Sequence, residues 1–512
     1  MRAHRGVWGF VLIAAAYAGA FSLAKFWMRG AAEVRLGAAR PEYFHYDIVE
    51  LVLRTREREL DASFLEAPPR LFVERGGEPV TTIAGVREMT MARVSGGVWI
   101  ARWPVPWNAP SGEYRPRLIG RPEIAQRLVV SPFRIARRAP QPMPRGLVVA
   151  TLESGAPLES MRVKGPDGLE TDWRGLLDWA RWIGADAFWM LGGQSPGHGE
   201  DDIWLKTNLN MIPSVASECR KRGLKFGVYV MYSLTTAKKM MPGYEYGVEI
   251  QDSRPVATRA ISIGDRKRLD DVAAFLRPFA ADPNVDYIGL DYIRNALGGY
   301  ELVDDFVAEM PGLTLPPEWP KLTRAERMVW LARKKIMRRD ADFVEAWQWW
   351  RARRVALIVR ELKARLGDKP MWAFTLTWEK GWHHGQDPVM MNDAGIDIDA
   401  LMFYEADKVQ YAEMMESWNG YVKRGDVQLL PGNIFDWGLH QKDSKGPGEF
   451  SRRLKTAVKS VYSDGPARGV FFHDVSRLCW GRLGKWGTAG WAQEARQTAA
   501  FVKSLSASEM EK

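Results

Sequence analysis

VDYIGLDYI, residues 285–293, decides the fold. It is a short, mostly apolar run of strand length with Asp286 at its beginning and a second acid, Asp291, set inside it, and seven similar runs are spread along the chain. RGLVVAT (145–151), ADAFWML (185–191) and LKFGVYVMY (224–232) precede it; MWAFTLTW (371–378), IDIDALMFY (396–404), VQLLPGNIF (427–435) and RGVFFHD (468–474) follow. Between the runs the period becomes helical. Ile212, Val215, Ala216 and Cys219 fall at i, i+3, i+4 and i+7, with Pro213 near the start and Gly223 where a helix ends. Eight strands alternating with helices predict an α/β chain, a (β/α)8 TIM-type barrel over residues 146–490 with an insertion at about 300–350. A doubly wound open sheet competes, but no glycine-rich phosphate loop follows the first strand.

Upstream, residues 134–145 (RIARRAPQPMPR) combine Arg and Pro in a composition that stays extended, so 138–145 is expected to be a linker. Residues 31–137 are mostly of period two. Val49, Leu51 and Leu53 face away from Glu50, Val52 and Arg54, and Val98 and Ile100 alternate with Trp99, Ala101 and Trp103. Gly96-Gly97 and Pro110-Ser111-Gly112 supply turns, which predicts a small all-β, Ig-like sandwich without a cluster of catalytic residue types. Residues 1–30 begin with Arg2 and Arg5 and carry no charge from 6 to 24, the pattern of a signal peptide or membrane anchor. The remainder is then expected to be exported, periplasmic or extracellular, or held at the inner membrane. Residues 491–512 read as a C-terminal helix or tail.

Composition narrows the function classes. At 46% hydrophobic residues over 512 positions the chain is core-forming, and 47 Gly with 30 Pro lack a collagen period. Two cysteines, Cys219 and Cys479, make neither a disulfide framework nor a zinc site. The net charge of +10 is concentrated in the first 30 residues and in 321–369, a stretch of amphipathic helix, so it is no nucleic-acid footprint by itself. His383 and His384 with Asp387 lack helical metal spacing, and adjacent residues rarely point at one centre; no metal and no cofactor are expected.

In such barrels the reactive groups lie at the C-terminal ends of the strands. The acids there are Glu153, Asp291, Glu379, Glu405, Asp436 and Asp474. Asp291 is the clearest, because an acid inside an apolar run is costly unless it is paired or used. A structural ion pair with Arg294 is the plain alternative, but three residues along a strand reverses the face. Converging carboxylates suit glycosidic bond hydrolysis: Asp291 as nucleophile or base, with Glu405 slightly ahead of Glu379 for the acid, each following an aromatic residue that would help desolvate it. Trp189, Trp378 and Trp437, with Tyr232 and Tyr404, offer flat rings to sugar faces, and Asp436, His473 and Asp474 offer polar contacts. No GxSxG elbow makes His473 half of a triad. Trp347, Trp349 and Trp350 in the basic helix read as packing.

VDYIGLDYIR, together with RGLVVAT, KFGVYVMY and GQDPVMMNDAGIDIDALMFYEA, resembles the bacterial glycosyl-hydrolase-like barrel families over residues 145–480. The resemblance implies a glycosidase-type barrel and carries Asp291 and Arg294 onto the strand-four motif and Tyr404 and Glu405 onto the strand-six ending. Asn295-Ala296 replaces the Tyr-Pro that often follows the strand-four arginine, which changes the expected loop. The resulting expectation is a glycoside hydrolase acting on an oligo- or polysaccharide by paired carboxylates. Two alternatives are a non-catalytic carbohydrate-binding barrel and an envelope assembly protein whose helix 321–369 docks acidic partners or anionic lipid.

Overall fold

The computed structural model describes residues 34–508, except 82, 86, 154–156, 195–202, 235–239, 241, 297, 338–339, 377–381, 405–420, 437–445 and 482. Glu379, Glu405, Trp378, Trp437 and residues 1–30 therefore lie outside the described residues. Among the described residues no helix is long and apolar enough to cross a membrane. The chain forms two compact units, one of residues up to Arg137 with Met310–Thr314, the other of Arg138–Glu309 with Leu315 onward.

The first unit holds a five-stranded and a six-stranded sheet. Ile48–Arg54 sits between Val34–Ala38 and Val98–Pro104 in one sheet, and Arg70–Arg75 pairs with Gly112–Ile119 in the other. Both contribute to one core: Val49, Leu51, Leu53, Trp99 and Trp103 meet Leu71, Val73, Tyr114 and Phe133. The alternation read from the sequence is the burial pattern observed, since Glu50 is exposed between buried Val49 and Leu51.

The second unit is a closed parallel barrel, as expected. Its strands are β1 (Leu147–Leu152), β2 (Ala187–Gln194), β3 (Lys225–Met231), β4 (Tyr287–Asp291), β5 (Met371–Leu376), β6 (Ile398–Met402), β7 (Leu429–Ile434) and β8 (Gly469–His473). Closure comes from β1 pairing with β8, Leu147 opposite Gly469 through Ala150 opposite Phe472. All eight fall within or overlap the apolar runs quoted above, because a strand covered by helices outside and side chains inside has no wet face.

The interior is filled from one parity of each strand: Leu147 and Val149, Trp189 and Leu191, Tyr229 and Met231, Trp372 and Phe374, Ile398 and Ala400. Trp189 and Trp372 stack at 4.1 Å between ring centroids. Two indoles fit because the facing positions are glycine. A Cβ on Gly289 would lie 2.1 Å from the Trp372 ring, and one on Gly227 within 2.6–2.9 Å of both indoles. At the N-terminal end of the strands, Arg138 donates to Asp397 Oδ1 at 2.9 Å and its backbone N–H to Asp393, which fastens the start of the stretch expected to be an extended linker to the barrel unit.

Between β4 and β5 the insertion supplies three helices, Val303–Glu309, Arg324–Met337 and Ala341–Leu366. Several of their cations are paired inside the unit. Arg327 pairs with Asp304, Arg353 with Glu309, Arg354 with Asp305 and Glu309, Arg365 with Asp270, and Lys363 with Asp397. Trp347, Trp349 and Trp350 are fully buried.

The packing predicts that Gly289→Ala, which drives a methyl into the Trp372 ring, destabilises the barrel by about 1–3 kcal/mol. Gly448→Ala, in the helix Gly446–Ser460 with nothing within 4 Å, is the control and is expected to be neutral or slightly stabilising. Urea denaturation of the two variants checks both.

Candidate active site

Strand parity carries the interior upward to the mouth. On β1 the inward series Val149, Thr151 continues to Glu153; on β4 Tyr287 and Gly289 continue to Asp291; on β8 Phe471 continues to His473; on β6 Ala400 and Met402 continue to Tyr404. These side chains lie above the Trp189–Trp372 stack, where β strands end and a barrel keeps its chemistry.

Glu153 and His473 form the centre. His473 Nε2 is 3.3 Å from Glu153 Oε2, and its Nδ1 is 2.7 Å from Thr151 Oγ1. Tyr229 donates its hydroxyl to Glu153 Oε2 at 3.4 Å. The imidazole stacks on the Tyr404 ring (5.9 Å, 25°) and takes the edge of Phe374 (5.9 Å, 69°). Burial works against both charges, yet the hydrogen bond and opposite charge win: Glu153 is held below the usual glutamate range and His473 above the usual histidine range. The pair is ionic.

Asp291 is 4% exposed and takes the opposite course. Its burial, and then the negative charge of Glu153, push its carboxyl up to about 7, against the smaller pull of Arg294 and of the Tyr292 N–H, which donates to Oδ1 at 2.7 Å. Two acids at one mouth are thus driven to different protonation states, Glu153 ionised and Asp291 largely protonated below neutrality.

The remaining candidates divide. Asp474 turns outward and accepts from Ser476 Oγ (2.7 Å), Ser476 N–H and the Glu153 N–H (3.3 Å), so it positions the end of β1. Asp436, two residues past the end of β7, has φ of 60° and accepts from Arg477 at 3.0 Å. Arg294 stacks its guanidinium 4.4 Å over the Tyr292 ring. It forms no ion pair with Asp291; β4 ends at Asp291 and Tyr292 turns to φ 48°, so strand alternation no longer governs where Arg294 points. Trp189 and Tyr232 leave the binding set. Trp189 is fully buried in the stack below the mouth, and Tyr232, next to inward Met231, faces the other side of β3 and is fully buried near Arg268. Glu379, Glu405, Trp378 and Trp437 lie outside the described residues.

Sequence reasoning placed Glu153 at a strand end but did not choose it, and it missed Thr151 and Tyr229. Two-residue steps from Val149 and to Met231 were the available signal. His384 Nδ1 donates to the Asn295 carbonyl at 3.0 Å, and Asp387 caps Pro388–Ala394 through the Met390 N–H and accepts from Trp382 and Tyr421. These residues are structural. Among the described residues no group of three or more His, Cys, Asp and Glu could hold a metal ion.

No family model matches the chain, and no curated protein does. Solved structures similar to it include a pullulanase from Paenibacillus barengoltzii, at 9% identity over 91% of this chain and 80% of that one, with a TM-score of 0.38. An exo-beta-1,4-mannosidase from Opitutaceae bacterium strain TAV5 is 14% identical over 72% and 60%, TM-score 0.37. An alpha-galactosidase from Lactobacillus brevis is 9% identical over 89% and 53%, TM-score 0.35. The barrel itself stands on the strand pairing of this chain.

Because Glu153 is what raises His473, Glu153→Gln is expected to drop the imidazole below its wild-type titration point, leaving burial to dominate. Histidine ring NMR against pH reads the shift; an unchanged His473 would separate the two groups.

Proposed function

We propose that this protein is a glycoside hydrolase in which Asp291 is the general acid and Glu153 its ionised partner. The observation that carries the reading is the divergence of these two carboxyls at one barrel mouth, one kept protonated by burial and its neighbour's charge, the other kept charged by His473. Asp291 Oδ–H gives its proton to the glycosidic oxygen as the C1–O bond breaks, and the bonding pair leaves with the departing alcohol. Positive charge builds on C1 and the ring oxygen. Glu153 meets it, attacking C1 or taking a proton from the water that does, and one water is consumed overall. His473 and Tyr229 hold the Glu153 carboxylate in place, and Tyr404 lies flat against His473 as part of the mouth wall. The sequence-based roles are thereby revised: Asp291 moves from nucleophile or base to acid.

The substrate belonging to this reading is an oligo- or polysaccharide. The same proposal takes the enzyme to be exported, a reading supported by the uncharged run 6–24 after Arg2 and Arg5.

Asp291→Asn and Glu153→Gln are each expected to lower kcat by about 10²–10⁴-fold. The wild-type kcat/KM should fall as pH rises through about 7, where Asp291 loses its proton, and fall on the acid side only below the ordinary glutamate range, where Glu153 gains one. Reducing-sugar release on a glycan panel checks this. Glycan binding without turnover in the wild type would make the barrel a binding module.

A further inference from the structure

Arg294 differs from the other arginines of the barrel unit described so far. Arg327, Arg353 and Arg365 of the insertion are matched to carboxylates, whereas Arg294 makes no ion pair among the described residues; its Nη1, like the Nε of Arg327 and of Arg353, is buried with no hydrogen-bond partner. An arginine cannot shed its charge, so a buried guanidinium nitrogen left open is expensive unless something absent from the free protein completes it.

Its setting is rigid. Tyr292, at φ 48°, turns the chain out of β4, and Ser233 takes hold of the segment through its N–H to the Tyr292 carbonyl (3.1 Å) and its Oγ to the Arg294 carbonyl (2.8 Å). On the other side the Asn295 N–H donates to the His384 carbonyl at 2.9 Å. The guanidinium lies on the Tyr292 ring, a placement that keeps its plane fixed. A non-glycine residue at positive φ costs about 1–3 kcal/mol and persists where the surroundings impose it. Asp291, three residues earlier in the chain, accepts from the Tyr292 N–H and is not in salt-bridge contact with Arg294.

We infer that Arg294 receives a carboxylate on the substrate, so that the sugar bound beside Asp291 is an acidic one, a uronic acid or a sugar bearing an equivalent carboxyl group. The inference rests on the glycosidase reading for the identity of the ligand as a sugar. A carboxylate matches the guanidinium fork with two parallel N–H···O bonds, which a hydroxyl cannot do with the same strength. Arg294 also stays close enough to Asp291 for its charge to be felt there, so a substrate carboxylate on Arg294 would withdraw that pull and leave the acid better able to keep its proton.

The experiment uses the full chain and pairs of glycans that differ in one respect: oligosaccharides containing uronic acids and the same oligosaccharides after carboxyl reduction to neutral sugars. Binding is read on an array and by calorimetry, independently of turnover. An acidic glycan is expected to bind about tenfold or more tightly than its reduced counterpart. Arg294→Gln should erase that preference while binding of the reduced glycan changes little, and Arg294→Lys should restore part of it. Equal binding of the two members of a pair by the wild type overturns the inference even if no Arg294 variant folds. So does an Arg294→Gln that weakens both members equally, the result of a role exerted only through Asp291. Acidic glycans bound but never cleaved overturn the hydrolase reading and leave this one standing; neutral glycans cleaved as fast as acidic ones do the reverse. Binding to no glycan at all overturns both.

Discussion

Everything at the mouth depends on the way the barrel is plugged beneath it. Trp189 and Trp372 lie stacked across the interior, admitted by glycine at 227 and 289, and fill it at that level. The next inward side chains on each strand therefore have an apolar floor. Charge set on that floor is poorly solvated, so each ionisable group must find a partner or change its protonation state. A barrel of this size does not choose its chemistry by fold, but it does fix how few positions can take part: one parity, at one end, above one layer.

The three groups on that floor settle the problem in two different ways. Glu153 and His473 share a proton-linked contact, and each stabilises the charged form of the other against burial. Among the described residues Asp291 has no such partner and is raised by its burial and then by the charge that Glu153 retains. The ion pair is thus the cause and the protonated aspartate its consequence: a neutral Glu153 would leave Asp291 with burial alone to raise it. Asp474 contributes without touching the reacting space, by holding the Glu153 N–H and the Ser476 turn and so fixing where β1 ends.

How much of this was legible follows from the same geometry. The eight strands could be read because fully buried strands must be continuously apolar, and Asp291 stood out because it breaks such a run. Glu153 did not, since it lies one residue past the apolar run of β1, where acids are ordinary in sequence. Counting in twos from Val149 separates it from a solvent-facing loop acid, and the same count from Met231 sends Tyr232 outward. Trp189 was misjudged for a related reason. An aromatic two residues into a strand and one at its end look alike in composition, and only the strand's starting point tells floor from mouth. The position of Arg294 could not be read by alternation, because a left-handed turn at Tyr292 has no signature in a tyrosine.

The basic insertion gains a meaning once the mouth is located. Arg351, fully buried in the helix Ala341–Leu366, donates to the His383 carbonyl at 2.8 Å and to the Ala296 carbonyl, which belong to the segments leaving β5 and β4. Glycine at both neighbouring bends makes the approach feasible: a Cβ on Gly299 would meet the guanidinium at 3.2 Å, and one on Gly385 the Arg351 carbonyl at 3.0 Å. Burial draws the Arg351 pKa down to about 10, which still leaves the guanidinium charged at neutral pH, so the hydrogen bonds it gives are charge-assisted. A long excursion between β4 and β5 thus returns a single cation to the place where those strands end. Its two carbonyl acceptors lie on the segments that carry Asn295 and His384, themselves joined by the Asn295 N–H, so the exit that presents Asp291 and Arg294 is braced from the helical layer rather than by the strand alone.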